Sequence, residues 1–253
     1  MSDASGHRSV KSAHRALHLI ELLAHRQPMR FTELAEELGV PKGSLHALLA
    51  GLAAEGWVVV ERERGVVLGY RALALEFTPP DHADIVRLAA PELAALGAAL
   101  EETVHLATLD GAEVVYLASR PSPHALSIRY VPGRRLPAHA TALGKAMLAR
   151  LGEERLRMLP PRLAGLTPST ITDPAALDRE LEEIGRAGFA EDREEGTIGV
   201  RCVAVAVAHP DLPPLAISCS IPLARFDPAA VPAIAQRLLG ARDAMLVRLR
   251  AVG

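Results

Sequence analysis

The spacing of apolar residues predicts three short helices in the first third of the chain. Between Ser9 and His25, apolar side chains recur every three or four residues, as they do along one face of a helix. A second helix is predicted in FTELAEELGV, where Thr32 can act as the cap and acidic residues suit the positive end of the helix dipole. A third is predicted in PKGSLHALLAGLAAEGW, where Pro41 fits the first turn and one face carries Leu45, Leu48, Leu49 and Leu52.

Two β-branched runs follow the third predicted helix. Val58–Val60 and Val66–Leu68 flank the polar segment ERERG, which predicts a β-hairpin with Gly65 in its loop. Three short helices followed by a hairpin are typical of a winged helix-turn-helix, a DNA-binding unit. The consecutive prolines of Thr78-Pro79-Pro80 stop regular structure, so we expect a first domain over residues 1–77.

The rest of the chain predicts an α+β domain. Residues 78–100 contain an amphipathic helix, which we interpret as a linker. In residues 101–253 strands and helices alternate: a hairpin turns at Asp110-Gly111, LSIRYV predicts a further strand, and Asp173-Pro174 begins a helix. The apolar runs VRCVAVAVA and LAISCSI are joined by a short proline-rich turn. We therefore expect them to pair antiparallel in a sheet on which the helices pack.

Composition narrows the class of protein. Hydrophobic residues make up 49% of the chain but aromatic residues only 3%, so the core is predicted to be aliphatic. Cys202 and Cys219 lie apart, without metal-ligand spacing, so we predict no disulfide, no metal site and no cofactor. The N-terminus lacks a signal-peptide run and no stretch approaches eighteen uncharged apolar residues, which predicts a soluble cytoplasmic protein.

The charge of the first domain is neutral on balance. Residues 1–77 contain nine basic and nine acidic side chains, so a helical packing module that never contacts DNA is an alternative interpretation. Two arginines, Arg62 and Arg64, lie at the hairpin tip, and three basic residues cluster near the N-terminus at Arg8, Lys11 and Arg15. Phosphate contacts require local positive charge and free N–H groups, not a net positive charge over the whole domain. The neutral balance of this domain therefore does not exclude DNA binding.

In the order of its motifs the chain resembles the IclR family of bacterial transcriptional regulators. The matching segments are ELAEELGVPKGSLHALLAGLAAEGWV, LGYRALALEF, LPAHATALGKAML, EDREEGTIGVRCVAVAV and LAISCSIP. Any one of these segments alone is weak evidence for the family. Together, in this order, the five segments span nearly the whole chain. The resemblance implies a winged helix-turn-helix, a linker helix and a GAF-like ligand-binding domain. It also implies a homodimer or dimer of dimers on operator DNA, with a small organic acid or aromatic catabolite as effector.

Several residues of the second domain have two interpretations each. Thr141 can simply cap a helix, the acidic run around Asp192 is typical of a solvated loop, and Cys202 lies in a strand as buried structural thiols do. Ser218 and Ser220 share one face of a strand, where their hydroxyls are either satisfied locally or line a cavity. The resemblance implies that an effector is surrounded by Ala140, Thr141, Ala142, Asp192, Cys202, Ser218 and Ser220.

The third predicted helix carries few side chains on its outward face. A helical wheel places small residues opposite the leucine stripe, namely Gly43, Ala47, Ala50 and Ala54. Members of the family usually carry an arginine at the place of Ala47 and Ser or Thr at that of Gly43. An arginine reads guanine by two hydrogen bonds, whereas Ala47 offers only a methyl contact. We therefore hypothesise that DNA is contacted by Lys42, Ser44, His46, Arg62 and Arg64.

A hydrolase is the alternative from a different class of function. Cys202, His139 and Asp192 could act as nucleophile, base and orienting group, and Ser218 with His105 is a second conceivable pair. Neither lies in a recognisable catalytic sequence context, and a cysteine in a valine-rich strand is typically inert. We therefore predict a ligand-responsive DNA-binding regulator rather than an enzyme.

Overall fold

The chain forms two compact units, which divide after residue 80. The computed structural model describes residues 10–61, 64–72, 83–152, 154–210 and 212–250. Within these ranges the first unit contains α1 (Lys11–His25), α2 (Phe31–Glu37), α3 (Lys42–Ala54), β1 (Val58–Glu61) and β2 (Gly65–Leu68). This is the predicted order of three helices and a hairpin. The expected domain boundary at Thr78-Pro79-Pro80 lies outside the described residues.

The apolar stripes of the three helices meet in one core. Leu23 of α1, Leu34 of α2 and Leu45 of α3 are fully buried together. β1 and β2 pair antiparallel, and the hairpin adds Val58 and Val66 to the same cluster. Each helix therefore uses one face for folding and leaves the other face available.

The starts of α2 and α3 differ slightly from the prediction. Thr32 is not the cap of α2, because the helix begins at Phe31, two residues earlier than that cap would require. Arg30 is the cap instead, and its N–H donates to the Glu33 carboxylate (2.7 Å). Pro41 precedes α3 rather than forming its first residue. Between the helices Gly39 has a φ of +60°, in the left-handed region that favours glycine. The chain can therefore turn sharply there.

The second unit is built from helices and a single sheet. Its elements are α4 (Ala83–Leu100), β3 (Thr103–Asp110), β4 (Glu113–Arg120), β5 (Arg135–Pro137), α5 (Ala142–Leu148), α6 (Glu154–Met158), α7 (Pro174–Ala187), β6 (Ala190–Arg193), β7 (Val200–Val207), β8 (Leu215–Pro222) and α8 (Val231–Arg250). Of the helices that the structure describes, none is long and apolar enough to span a membrane.

The six strands of the second unit are antiparallel, in the order β5-β4-β3-β8-β7-β6. β7 and β8 pair with each other, as predicted. α4 and α8 pack on one face of the sheet, while α5 and α7 pack on the other. Because side chains alternate along a strand, Ile217 and Cys219 face α4 and α8, whereas Ala216 and Ser218 face the opposite side.

One segment of the second unit contradicts the prediction, and another excludes one of the two interpretations that the sequence left open. LSIRYV, residues 126–131, contains no strand. The neighbour of β4 is instead β5, and the intervening segment is held partly by a hydrogen bond from the Ser119 hydroxyl to the Tyr130 carbonyl (3.1 Å). The acidic run around Asp192 is not a solvated loop either. It begins in strand β6, which pairs with β7.

Candidate functional site

A cavity lies where β6, β7 and β8 meet the start of α5. Six of the seven residues that the resemblance assigned to effector binding line it: Thr141, Ala142, Asp192, Cys202, Ser218 and Ser220. The seventh, Ala140, is buried and approaches Gly196, a further lining residue, so closely that a β-carbon on that glycine would lie 2.9 Å from the Ala140 carbonyl oxygen. Four separate segments of the chain therefore converge here.

The register of the strands places the polar side chains of the cavity in two rows. Asp192, Cys202 and Ser220 are direct cross-strand neighbours on β6, β7 and β8. The Cys202 Sγ and Ser220 Oγ atoms are 3.2 Å apart. In the second row Ser218 of β8 lies opposite His105 of β3. Both rows lie on the sheet face that carries α5, since cross-strand partners share a face.

The Asp192 carboxyl is buried at the edge of the cavity, with 5% of the residue exposed. Its Oδ1 atom accepts hydrogen bonds from the N–H groups of Glu195 (2.6 Å) and Gly196 (3.4 Å). Burial raises the pKa of Asp192 to about 6, and the nearby Glu195 carboxylate acts in the same direction. Asp192 is therefore poised to exchange a proton near neutral pH.

A buried ion-pair cluster holds the loop after β6 against α5. The Lys145 side chain is 0% exposed, and its Nζ donates to Oε1 of Glu195 (2.6 Å) and Oε1 of Glu180 (2.5 Å). An unpaired buried charge is strongly disfavoured, so this lysine ties the loop, α5 and α7 together. The sequence analysis missed both Lys145 and Glu195, because lysine and glutamate normally lie at the surface.

Thr141 is the cap of α5, which confirms the structural interpretation of this residue. Its hydroxyl accepts a hydrogen bond from the Gly144 N–H (3.0 Å) and donates to the Ala138 carbonyl (3.4 Å). The first N–H groups of a helix have no partner within the helix. Ala142 and Leu143, the first two residues of α5, both line the cavity.

Two tyrosines that the sequence analysis did not assign to the site form another wall. Tyr116 and Tyr130 line the cavity, and their ring centroids are 4.7 Å apart. His105 packs against both rings, with centroid distances of 5.1 and 5.5 Å. Burial raises the pKa of both tyrosines, so their hydroxyls stay protonated donors. The chain has only three tyrosines, and their scarcity was the one signal that could have drawn attention to this pair.

The cavity is small in this conformation. The volume that the centre of a water molecule can occupy is about 10 Å³, which is room for about one water. Any organic ligand therefore requires the surrounding loop or side chains to move outward.

The groups of a cysteine hydrolase are not assembled. His139 is buried outside the cavity lining, and its Nε2 atom hydrogen-bonds to the Ala164 carbonyl (2.9 Å). Burial, reinforced by Asp192, raises the pKa of Cys202 well above its usual range, so the reactive thiolate is disfavoured. His105 and Ser218 do lie opposite each other, but their side chains are not hydrogen-bonded.

The outward face of α3 is as bare as the helical wheel predicted. Gly43, Ala47, Ala50 and Ala54 are all exposed. Beside them the predicted DNA contacts Lys42, Ser44 and His46 are exposed too, and the His46 ring packs 4.4 Å from Phe31. Ser44 and Ala47 also line an open hollow that reaches Ser12 and Arg15 of α1.

The hairpin provides one described candidate for a DNA contact. The Arg64 guanidinium is largely exposed and lies 3.8 Å from the Glu61 carboxylate. Arg62 and Arg8 lie outside the described residues. The described part of the predicted DNA surface therefore consists of the three exposed α3 residues and Arg64.

Comparison with known proteins identifies both units of the chain. Residues 12–62 match the family described as "IclR helix-turn-helix domain", and residues 79–245 match "Bacterial transcriptional regulator IclR C-terminal". The second match alone spans more than half of the chain. The chain belongs to the IclR family.

Individual members of the IclR family resemble this chain over almost its whole length. The HTH-type transcriptional regulator XynR of Escherichia coli is 33% identical over 249 residues, which cover 96% of this chain and 98% of that protein. The crystal structure of an IclR transcriptional regulator from Alicyclobacillus acidocaldarius matches with a TM-score of 0.78 and 27% identity, over 94% of this chain and 98% of the other. An IclR homologue from Microbacterium hydrocarbonoxydans, complexed with 4-hydroxybenzoate, shares the fold with a TM-score of 0.79 and 24% identity, over 95% and 99%.

This IclR-family chain is a ligand-responsive DNA-binding transcriptional regulator. The predicted α+β fold, with an N-terminal winged helix-turn-helix and a C-terminal antiparallel-sheet ligand-binding domain, is confirmed. The curated IclR-family relatives are transcriptional regulators, and they give the hydrolase alternative no support.

Proposed function

We propose that the cavity between the sheet and α5 is the effector site, and that its ligand is a small carboxylate with a planar or aromatic body. The observation that carries this proposal is the convergence of six predicted residues and two tyrosines around one enclosed space. Tyrosine rings stack well on planar groups. Hydroxyl and backbone N–H donors suit carboxylate oxygens.

The polar groups of the cavity divide into donors and one titrating acid. Ser218, Ser220 and Tyr116 line it, together with Ala142 and Leu143 at the start of α5. Asp192 repels a carboxylate while it is ionised, but its raised pKa allows it to take up a proton and donate to the ligand instead. The effector would therefore be favoured by mildly acidic conditions.

Effector binding would reshape the unit, because the cavity holds about one water and a carboxylate of this class is larger. We propose that the loop from Asp192 to Gly199, which includes the Lys145-bound Glu195, is the segment that shifts. A ligand that prefers the widened conformation moves the population toward it, with a coupling of typically ~1–3 kcal/mol. We propose that α4 carries this change toward the DNA-binding unit.

The remaining assignments follow from the same proposal. Residues 1–77 would bind operator DNA through Lys42, Ser44, His46, Arg62 and Arg64, residues 78–100 would link the units, and residues 101–253 would bind effector and oligomerise. The protein would act in the cytoplasm as a homodimer or a dimer of dimers, without catalytic activity, metal or cofactor. Exposure of Lys42, Ser44 and His46 supports the DNA assignment.

The test uses a Ser218→Ala, Cys202→Leu double variant and a panel of small carboxylates that includes benzoate and hydroxybenzoates. Wild-type protein is expected to bind at least one of these acids by calorimetry and to change its affinity for a DNA fragment from upstream of its own gene. The double variant should lose both responses while it still binds the DNA.

Matched controls are Cys219→Ala, which removes the thiol on the opposite face of β8, and Ser169→Ala, which removes the hydroxyl of an exposed serine of the same unit. Both are expected to keep the ligand response if they fold. An unchanged response in the double variant would show that the effector binds elsewhere.

A further inference from the structure

His105 lies next to the effector cavity but has no role in the proposed carboxylate contacts. It is 0% exposed on β3, between β4 and β8, and its ring contacts the cavity tyrosines Tyr116 and Tyr130. Thr103 and His105 share a sheet face with Ser220 and Ser218, their register partners. His105 is not itself a lining residue in this conformation, but its imidazole packs against two tyrosines that are and lies opposite the lining residue Ser218.

Hydrogen bonding fixes which ring nitrogen of His105 carries the proton. The Ser119 hydroxyl donates to the Tyr130 carbonyl (3.1 Å), so its oxygen is free to accept from His105 Nδ1 at 2.7 Å. Nδ1 is thus the N–H donor and Nε2 carries the lone pair. Neutral His105 therefore offers one unused hydrogen-bond acceptor.

That acceptor has no partner among the residues that the structure describes, although it is completely buried. Buried polar atoms are normally paired, so an unpaired one requires an explanation. The two ring nitrogens direct their bonds to nearly opposite sides. Because Nδ1 is bound on the β4 side, we expect Nε2 to face β8. There its register partner Ser218 lines the cavity, and the Ser218 hydroxyl has no hydrogen-bond partner within the described part of the chain.

We propose that His105 Nε2, together with the Ser218 hydroxyl, accepts a hydrogen bond from a hydroxyl group of the effector. The effector is then a carboxylate that also carries a hydroxyl, and His105 is the residue that distinguishes it from the acid without one. This inference rests on the proposed function, because it requires the effector to occupy the cavity.

The neutral state of the imidazole selects a hydroxyl rather than a second anionic group. Burial lowers the pKa of His105 to about 4, so the ring stays uncharged at physiological pH. A neutral lone pair accepts from O–H and repels a carboxylate oxygen. Tyr116 and Tyr130 lie beside the ring, where the body of a planar hydroxy acid would stack.

The test compares matched acids with and without a hydroxyl, by calorimetry on the full chain. The pairs are benzoate with 2-, 3- and 4-hydroxybenzoate, phenylacetate with 4-hydroxyphenylacetate, and butyrate with 4-hydroxybutyrate. We expect one hydroxylated member to bind at least about tenfold more tightly than its partner, because a site with buried polar groups discriminates against a ligand that leaves them unpaired.

Two substitutions of His105 separate its two nitrogens. His105→Asn keeps a polar group near Nδ1 for Ser119 but removes Nε2, and it should bind both members of the pair equally. His105→Gln places a polar atom near Nε2 and should restore part of the preference. A hydroxyl preference that persists in His105→Asn would overturn the proposal.

A measurement on the unmodified protein covers the case in which a His105 variant does not fold. The ¹⁵N resonance of His105 Nε2 should move toward the hydrogen-bonded position on addition of the preferred hydroxy acid, and not on addition of its partner. If no resonance responds, or if wild-type protein binds both members equally, His105 does not read the ligand and a water molecule satisfies Nε2.

The outcomes distinguish this inference from the proposed function. Acids that bind without hydroxyl preference, but fail to bind the Ser218→Ala, Cys202→Leu variant, would contradict the role of His105 alone. If no acid of the panel binds, both proposals are wrong.

Discussion

The outward face of α3 and the cavity of the second unit differ in how many functional side chains they carry and in how deeply these are buried. The face that meets DNA in helix-turn-helix proteins carries only small side chains here, and the residues beside it are exposed. The cavity instead concentrates buried serines, an acid and two tyrosines, and the His105 imidazole packs against those tyrosines. If the proposed function is right, this chain recognises its ligand through dense buried contacts, whereas its DNA recognition depends on flanking residues, shape or the spacing of paired subunits.

The two regions also differ in what their residues contribute to folding. On α3 the leucines fold the unit and the small residues are free to serve DNA binding alone. At the cavity the same residues do both, because Asp192 and Lys145 hold the loop as well as shaping the site. Substitutions should therefore affect stability in one region and mainly specificity in the other.

The largest effect is expected for Lys145→Met. It leaves Glu195 buried without its cation, so the second unit should lose roughly 3–5 kcal/mol of unfolding free energy. Circular dichroism during denaturation measures this loss. The single tryptophan, Trp57, lies in the first unit, so its fluorescence transition should stay where it is.

The control for this contrast is Lys42→Met on the exposed start of α3. Its effect on unfolding should stay within about 0.5 kcal/mol, as for most surface substitutions. Equal losses of unfolding free energy in Lys145→Met and Lys42→Met would show that the two regions do not differ in their contribution to stability.

The second prediction concerns Ala47→Arg, which adds to the bare face the side chain that the family resemblance led us to expect there. We expect a change in the preferred operator bases worth roughly 1–3 kcal/mol, measured by selection from a randomised DNA pool, with no loss of stability. Ala53→Arg adds the same charge on another side of α3 and should raise affinity without changing preference. If Ala47→Arg leaves the preference unchanged, α3 does not lie in the major groove.

The third prediction uses the raised pKa of Asp192, about 6. As pH falls from 7 to 5, this carboxyl becomes neutral and ceases to repel a carboxylate, so effector affinity should rise by up to about tenfold over this range. Asp192→Asn keeps an acceptor for the Glu195 N–H, binds more tightly at pH 7 and should flatten this dependence. Calorimetry over the pH range decides between these results.

The same pKa affects stability without ligand. The folded pKa lies above the ordinary value of about 4, so the folded state binds more protons between these pH values. Stability of the second unit should therefore increase as pH falls through 6, and less so in Asp192→Asn. Glu195, Lys145 and Cys202 lie near this carboxyl, and a pH dependence of stability that survives unchanged in Asp192→Asn would show that Asp192 is not its source.

The smallest effect is expected for Arg64→Gln. Its guanidinium is exposed and partly neutralised by Glu61, so its loss should weaken DNA binding only a few-fold, uniformly across sequences. The slope of log affinity against log salt should fall by about one or less. Arg26→Gln, which removes an arginine paired with Glu37, is the control. A sequence-dependent loss would mean that Arg64 reads bases.

Periodicity and motif order predicted the helices, the hairpin, the β7–β8 pair and six lining residues of the cavity. They did not predict β6, because an acidic run resembles a surface loop. The burial of Asp192 depends on the pairing of β6 with β7 and on the N–H group of Glu195. Apolar and polar residues alternate in LSIRYV as they do in a strand. Its Tyr130 is nevertheless held by the cavity aromatics and by Ser119, contacts that no local pattern encodes.

The near-absence of free volume in the cavity has a consequence for timing. A ligand cannot enter at the rate of diffusion if the loop must first open, so association becomes a two-step process. The observed rate constant should rise with effector concentration and then level off at the opening rate. The regulator would then respond to how long its effector persists, and brief fluctuations in metabolite concentration would pass without reaching the promoter.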